Sequence, residues 1–250
     1  MFINIFFFQQ TLKNSSYFYL FMKKRIVVLS LGGSLIVPDK IDVKFLNSFK
    51  KTLLKNTSKC KFVVVCGGGK TARTYIKGLR EIKANEKLQS LAGISVTRMN
   101  ARFMNFFFNI DESAGIPHTA NELKNQLKRK NIVFCGGLEY KPHQTSDATA
   151  AQIAKLFKTE FINLTNVSGL HDKNPLKFKN AKFIPRITWK KFYKMANKEK
   201  FSPGQHFVLD QTAAKIILED KIPAYILGKN MENLDKLING KDFYGSIIMD

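Results

Sequence analysis

Phe62-Val63-Val64-Val65-Cys66-Gly67-Gly68-Gly69-Lys70-Thr71-Ala72-Arg73 is the stretch whose reading decides the fold. Its apolar run, with three β-branched residues in succession, has the pattern of a parallel strand buried on both faces. Three glycines follow at once, and a helical pattern begins behind them. Glycine at such a turn lets the backbone approach a ligand with no Cβ in the way. The unpaired N–H groups of the next helix's first turn then face the crevice, and phosphate is the usual anion at such a terminus. Arg73 falls about one turn into that helix, where a guanidinium can fork onto the same anion. The alternative is a tight strand–helix turn with no ligand.

Two further turns have the same form. Ile26-Val27-Val28-Leu29-Ser30-Leu31 runs into Gly32-Gly33-Ser34, and Ile132-Val133-Phe134-Cys135 runs into Gly136-Gly137. Three apolar runs ending in Gly-Gly predict three loops gathered at the carboxyl edge of one parallel sheet, where open α/β sheets take their ligands. None of the three matches the P-loop pattern or GxGxxG.

Outward from these turns, apolar runs predict strands at 25–31, 61–66, 131–135, 160–165, 223–227 and 245–249. Helical spacing falls between them, as in Phe45, Leu46, Phe49, Leu53 and Leu54. The alternation predicts an α/β fold, a three-layer α/β/α sandwich with a mostly parallel central sheet. Gly32-Gly33-Ser34 is expected to open a loop. A helix at 71–81 is followed by one holding Leu88, Leu91 and Ile94. A Phe-rich segment, 96–109, reads as a helix buried in the core or in a subunit interface. Asp42 and Asp210 are expected N-caps, and Thr119 with Glu122 a capping box. Thr145, Ser146 and Asp147 open an alanine-rich helix whose start is an expected second anion site. Residues 201–205 contain Ser-Pro-Gly-Gln and are expected to be flexible.

The 250 residues suffice for one large α/β domain or two small ones, and 44% hydrophobic content allows a substantial core. Lys and Arg total 41 against 19 Asp and Glu, a formal charge of +22. The lysines are dispersed, and no RNP, zinc-finger or helix-turn-helix signature accompanies them. The surplus therefore reads as compositional bias together with attraction for an anionic small substrate, not nucleic acid. Cys60, Cys66 and Cys135 form neither a CxxC pair nor a metal spacing, so they are expected as small core residues in a reducing cytoplasm, and no protein metal site is expected. Residues 1–21 hold two Phe/Tyr-rich clusters too short to span a bilayer, with no basic leader and no cleavage site. They are expected to be a disordered or artefactual extension ahead of a chain starting at Met22, with a weak interfacial anchor as the other reading.

The ordered set of motifs resembles a known family. It comprises Gly32-Gly33-Ser34, Gly67 to Ile76, Gly93-Ile94-Ser95-Val96-Thr97-Arg98-Met99-Asn100-Ala101, Gly136-Gly137 with Thr145-Ser146-Asp147-Ala148, Leu164 to Leu170, and Asp210 to Ile217. Residues from about 25 to the end resemble the amino acid kinase superfamily, and within it the archaeal-type uridylate kinases. That resemblance implies one amino acid kinase domain over 22–250, its N-terminal half binding the acceptor and oligomerising, its C-terminal half binding ATP. It implies γ-phosphoryl transfer from ATP to UMP with Mg²⁺, in pyrimidine nucleotide synthesis, by a cytoplasmic homohexamer with neither nucleic acid nor membrane as partner. The Phe-rich helix around Phe103 to Phe108 would suit the hexamer interface. By the same resemblance the donor lies against Gly33, Ser34, Gly69, Arg73, Thr165, Asn166, His171 and Asn174. The acceptor lies against Gly68, Ser90 and the loop Leu138, Glu139, Tyr140, Lys141, Pro142, His143, Gln144, Thr145 and Ser146. Arg73, Asp210 and Lys215 are the expected catalytic residues.

The chain departs from the family pattern at several points. Ser30 stands where many of these kinases carry a strand-one Lys, so another cation must take that charge, with Lys70 and Lys215 the candidates. Ser90 and Asn174 each replace a common Asp, His171 a common Tyr, and Ser168 an Asp. The loop between Gly137 and Thr145 is about two residues longer and lacks the usual Pro-Gly. Two other readings remain at this point. One is a different phosphotransferase of the superfamily, such as an isopentenyl phosphate kinase, although no His lies between Gly67 and Tyr75. The other is a non-catalytic nucleotide-binding regulator.

Overall fold

The computed structural model describes residues 24–111, 113–142, 144–197 and 209–250. The expectations for 1–21, for 201–205 and for His143 lie outside the described residues. Nine strands are described: β1 (Arg25–Leu31), β2 (Cys60–Cys66), β3 (Ile132–Cys135), β4 (Phe161–Leu164), β5 (Leu170–His171), β6 (Phe183–Ile184), β7 (Arg186–Ile187), β8 (Ala224–Leu227) and β9 (Ser246–Ile248). Seven form one sheet in the order β3-β2-β1-β4-β8-β9-β7, and β5 pairs with β6 in a separate antiparallel hairpin. From β3 through β8 every pairing is parallel, and β9 turns antiparallel on β8. Strands β1 to β3 build outward in one direction and β4 to β8 in the other. The direction reverses between β1 and β4, which is where a parallel sheet opens a crevice at its carboxyl edge.

The strand period sorts residues onto two faces. Val27, Leu29, Leu31, Phe62, Val64 and Phe134 face one core, covered by α1 (Gly33–Ile36), α2 (Val43–Asn56), α4 (Glu86–Phe108) and α9 (Met231–Ile238). Val28, Val63, Val65, Val133 and Phe161 face the other, covered by α5 (Ala120–Arg129), α6 (Ser146–Phe157), α7 (Trp189–Ala196) and α8 (Gln211–Glu219). These are the three layers expected from the alternation. α3 (Gly69–Glu81) lies outside them, burying Ala72 and Ile76. The three cysteines are buried and free.

Several local expectations need correction. Gly33 opens a single helical turn and not a loop. The two helices expected between 88 and 109 are one 23-residue helix, α4, because the Gly93-Ile94-Ser95 segment between them contains no breaker strong enough to outweigh packing on α3. Leu54, Leu88 and Leu91 lie exposed. Phe108 is buried, edge-on to Phe134 with ring centroids 4.8 Å apart, so part of the Phe-rich segment belongs to the core. Asp42, Thr119 and Asp210 do cap their helices, but Glu122 accepts from the amide of His118, one residue before the cap, and so does not close a capping box.

Candidate active site

Gly33 and Gly69 hold the first two glycine turns in backbone contact. A Cβ on Gly33 would lie 2.2 Å from the Gly69 amide nitrogen, and Gly69 itself has φ +62°. Only glycine satisfies both demands. Gly68 caps α3 without a side chain, leaving the first-turn amides to face the crevice. α4 braces this arrangement from outside. Asn100 Nδ2 donates to the Gly67 carbonyl at 2.7 Å, and the Thr97 hydroxyl accepts from the Gly137 amide at 2.9 Å. Arg98 donates to the carbonyls of Gly137 and Leu138.

Two cavities open at this edge. The larger, about 1140 Å³, is lined by Gly33, Ser34, Gly69, Arg73, Thr165, Asn166, His171 and Asn174, all eight residues expected around the donor. The smaller, about 170 Å³, is lined by Gly68, Ser90, Glu139, Gln144, Thr145 and Ser146 from the expected acceptor set, and by Asp210. Gly68, Gly69, Arg73, Ser146 and Asp147 line both, so the two spaces meet there.

Other expected site residues lie elsewhere. Leu138 packs on the core and offers its carbonyl to Arg98. Tyr140 sits under Lys87, whose Nζ is 6.0 Å from the ring centroid. Neither they nor Lys141 and Pro142 line either of these two cavities. Lys215 pairs with Glu219 at 3.7 Å and Lys70 with exposed Asp39 at 2.7 Å, and neither reaches the cavities.

Where the cavities meet, the structure brings together two carboxylates. Ser30 lies on the α6 side of β1 and donates 2.6 Å to Asp147 Oδ1. Asp210 accepts from the Thr145 hydroxyl and from the amides of Thr212 and Ala213. Burial, then the neighbouring Asp210 charge, pushes the Asp147 carboxyl up to about 7, against the Ser30 hydrogen bond. Burial also raises Asp210, opposed by its hydrogen bonds. Burial lowers the Arg73 guanidinium. The start of α6, expected as a second anion site, is closed by its own chain. The Thr145 hydroxyl takes the amides of Asp147 and Ala148.

Sequence reading missed Asp147 as a site residue, and it missed Thr97 and Ile94 in the smaller cavity and Lys191 and Lys194 in the larger. The period of β1 placed Ser30 opposite Val27, Leu29 and Leu31, a signal that could have directed attention to α6. Gln144 Oε1 is buried with no hydrogen-bond partner among the described residues, while its Nε2 donates to Thr149 and Gln152.

Residues 25–228 match the amino acid kinase family. A uridylate kinase of Thermoplasma acidophilum is 34% identical over 226 residues, covering 90% of this chain and 96% of its own. One of Thermococcus onnurineus is 35% identical over 220 residues, covering 86% and 96%. The crystal structure of the uridylate kinase from Archaeoglobus fulgidus superposes with a TM-score of 0.74 at 33% identity, covering 90% of this chain and 99% of that one. A UMP kinase structure from Ureaplasma parvum shares the fold, with a TM-score of 0.72 at 20% identity over 92% of this chain and 100% of that one.

Proposed function

Because the chain belongs to the amino acid kinase family, we propose that it is a uridylate kinase, passing the γ-phosphoryl group of ATP to UMP to give UDP and ADP. The observation that carries this reading is the meeting of a large and a small cavity at Gly68, Gly69, Arg73, Ser146 and Asp147. Phosphoryl transfer needs two phosphates in line and charge absorbed between them, with little covalent chemistry from the protein. The uncapped amides of α3 and the Gly33–Gly69 contact form the cradle for the donor phosphates. Arg73, bordering both cavities, forks onto the group in transit. The attacking UMP phosphate is already an anion, so no general base is required.

Asp147 and Asp210 set two carboxylates beside the transfer point, bonded to hydroxyls and amides and to no cation among the described residues. These hard oxygen donors fit Mg²⁺, and Asp147 would hold it. When bound, the metal supplies neutralisation of charge on the phosphate oxygens.

The division of labour between halves, the cytoplasmic setting, the role in pyrimidine synthesis and the homohexamer belong to the same proposal. Met99 and Phe106, exposed on α4, support a subunit contact there. No helix among the described residues is long and apolar enough to cross a membrane.

The test is coupled ADP release with ATP and Mg²⁺, offering UMP, CMP, dUMP, dTMP and isopentenyl phosphate in turn. Turnover with UMP above all others is expected. Turnover with isopentenyl phosphate alone, or none in protein that binds ATP, rejects the assignment.

A further inference from the structure

Lys191 and Lys194 face the larger cavity from α7, on the same side as Met195, while Phe192 and Ala196 are buried in the core. Three positions apart on one helix, the two ammonium groups are neighbours. Both side chains are exposed, and neither has an ion-pair partner among the described residues. Lys70, Lys155 and Lys215 are each paired with a carboxylate. Two unpaired like charges side by side repel each other and weaken the helix, unless an anion sits between them.

Beside the glycine turns, Arg73 is the cation that lines the cavity they face. β1 presents Ser30 at that edge and not a basic residue, and its hydroxyl is spent on Asp147. Asp147 and Asp172 add two carboxylates to the lining. Lys173 and Lys177, both on the 172–178 loop, also line the cavity, and the Lys173 Nζ lies 5.6 Å over the Phe178 ring, which ties it to that loop. Arg73 alone borders both spaces as a cation. An oligophosphate in this cavity needs more positive charge than Arg73 provides.

We propose that Lys191 and Lys194 clamp the oligophosphate of the donor nucleotide from α7 and supply the charge that no side chain of β1 supplies. The proposal rests on the reading of the larger cavity as the donor site. The lysines touch the phosphates and leave the acceptor to the smaller cavity, whose lining does not include them.

Calorimetric titration of the full chain with ATP, ADP, AMP and adenosine, without acceptor, tests the clamp. Lys191→Met/Lys194→Met is expected to weaken ATP binding about 10- to 100-fold, as two charge-assisted contacts would. The loss should shrink from ATP to ADP to AMP and vanish for adenosine, and Lys191→Arg/Lys194→Arg should restore ATP binding. In the transfer assay KM for ATP should rise while KM for UMP holds. Equal losses for ATP and adenosine, or no loss, overturn the clamp. Should the double variant fail to fold, the single variants carry the same test, each with about a tenfold loss. Wild-type protein that binds ATP but leaves UMP untouched rejects the proposed activity and not the clamp.

Discussion

Ser30, on the central strand, donates a 2.6 Å hydrogen bond to Asp147, 117 positions later at the start of α6. A neutral hydroxyl thus meets a carboxyl that burial and Asp210 push up to about 7. A cation in place of Ser30 would hold that carboxyl down.

This pairing gives stability a definite dependence on pH. The folded protein keeps a proton on Asp147 that the unfolded chain releases near 3.8. The stabilisation is complete below that value and is lost as pH rises from about 4 toward 7. Asp147→Asn keeps an acceptor for Ser30 and removes the charge. Thermal unfolding of nucleotide-free, metal-free protein at pH 8 should give a higher Tm for Asp147→Asn than for wild type, by a few degrees. That follows from about 1–2 kcal/mol once the cavity-facing side of the carboxyl is discounted for solvent. The difference should disappear below about pH 4, where both side chains are neutral. A gap that widens on acidification contradicts the assignment.

Arg73 borders both cavities with no ion-pair partner among the described residues. Arg73→Ala should lower kcat/KM for UMP phosphorylation by about 10²-fold or more, with the fold intact by circular dichroism. Wild-type turnover in the folded variant removes Arg73 from the site.

Two glycine substitutions should act in opposite directions. A methyl at Gly33 meets the backbone of Gly67, Gly68 and Gly69 within 2.2–2.7 Å, and backbone cannot step aside as a side chain would. Gly33→Ala should abolish ATP binding or cost more than about 2 kcal/mol of stability in urea unfolding. Gly78, in the exposed interior of α3, has nothing within 4 Å of its would-be Cβ. Gly78→Ala should raise stability by about 0.5–1 kcal/mol and leave ATP binding alone. ATP binding unchanged in Gly33→Ala separates the cradle from the donor site.

The glycine turns were legible in the sequence because each follows a strand whose apolar run and β-branched residues announce it. The three strands are also neighbours, in the order β3-β2-β1. What stayed hidden depends on which distant elements meet. Arg98 and Asn100 look like ordinary helix residues until the 23-residue length of α4 carries them past Gly67 and Gly137. Lys191 and Lys194 are two of many dispersed lysines, and only the position of α7 beside the cavity distinguishes them. Asp147 reads as a helix-start residue, and its burial beside Asp210 follows from α6 and α8 lying side by side. Lys215 was drawn into the site by its motif, yet its place on α8 turns it toward Glu219.

Gln144 offers the sharpest test of how the smaller cavity reads its ligand. Its Nε2 is held by Thr149 and Gln152, which fixes the amide and leaves buried Oε1 with no donor among the described residues. A buried acceptor without a partner costs about 1–3 kcal/mol, a cost that a ligand N–H can relieve. Uracil carries such an N–H at ring position N3, where cytosine has an acceptor. Gln144→Met removes the orphan oxygen and keeps the volume, so stability should change by less than about 1 kcal/mol, since two hydrogen bonds are lost as the orphan is removed. KM for UMP should nevertheless rise about tenfold, and the preference for UMP over CMP should shrink by a similar factor. A variant that loses stability and keeps its base preference would make Gln144 a brace for α6 and nothing more. If the preference falls while stability holds, the orphan oxygen is the group that reads the base.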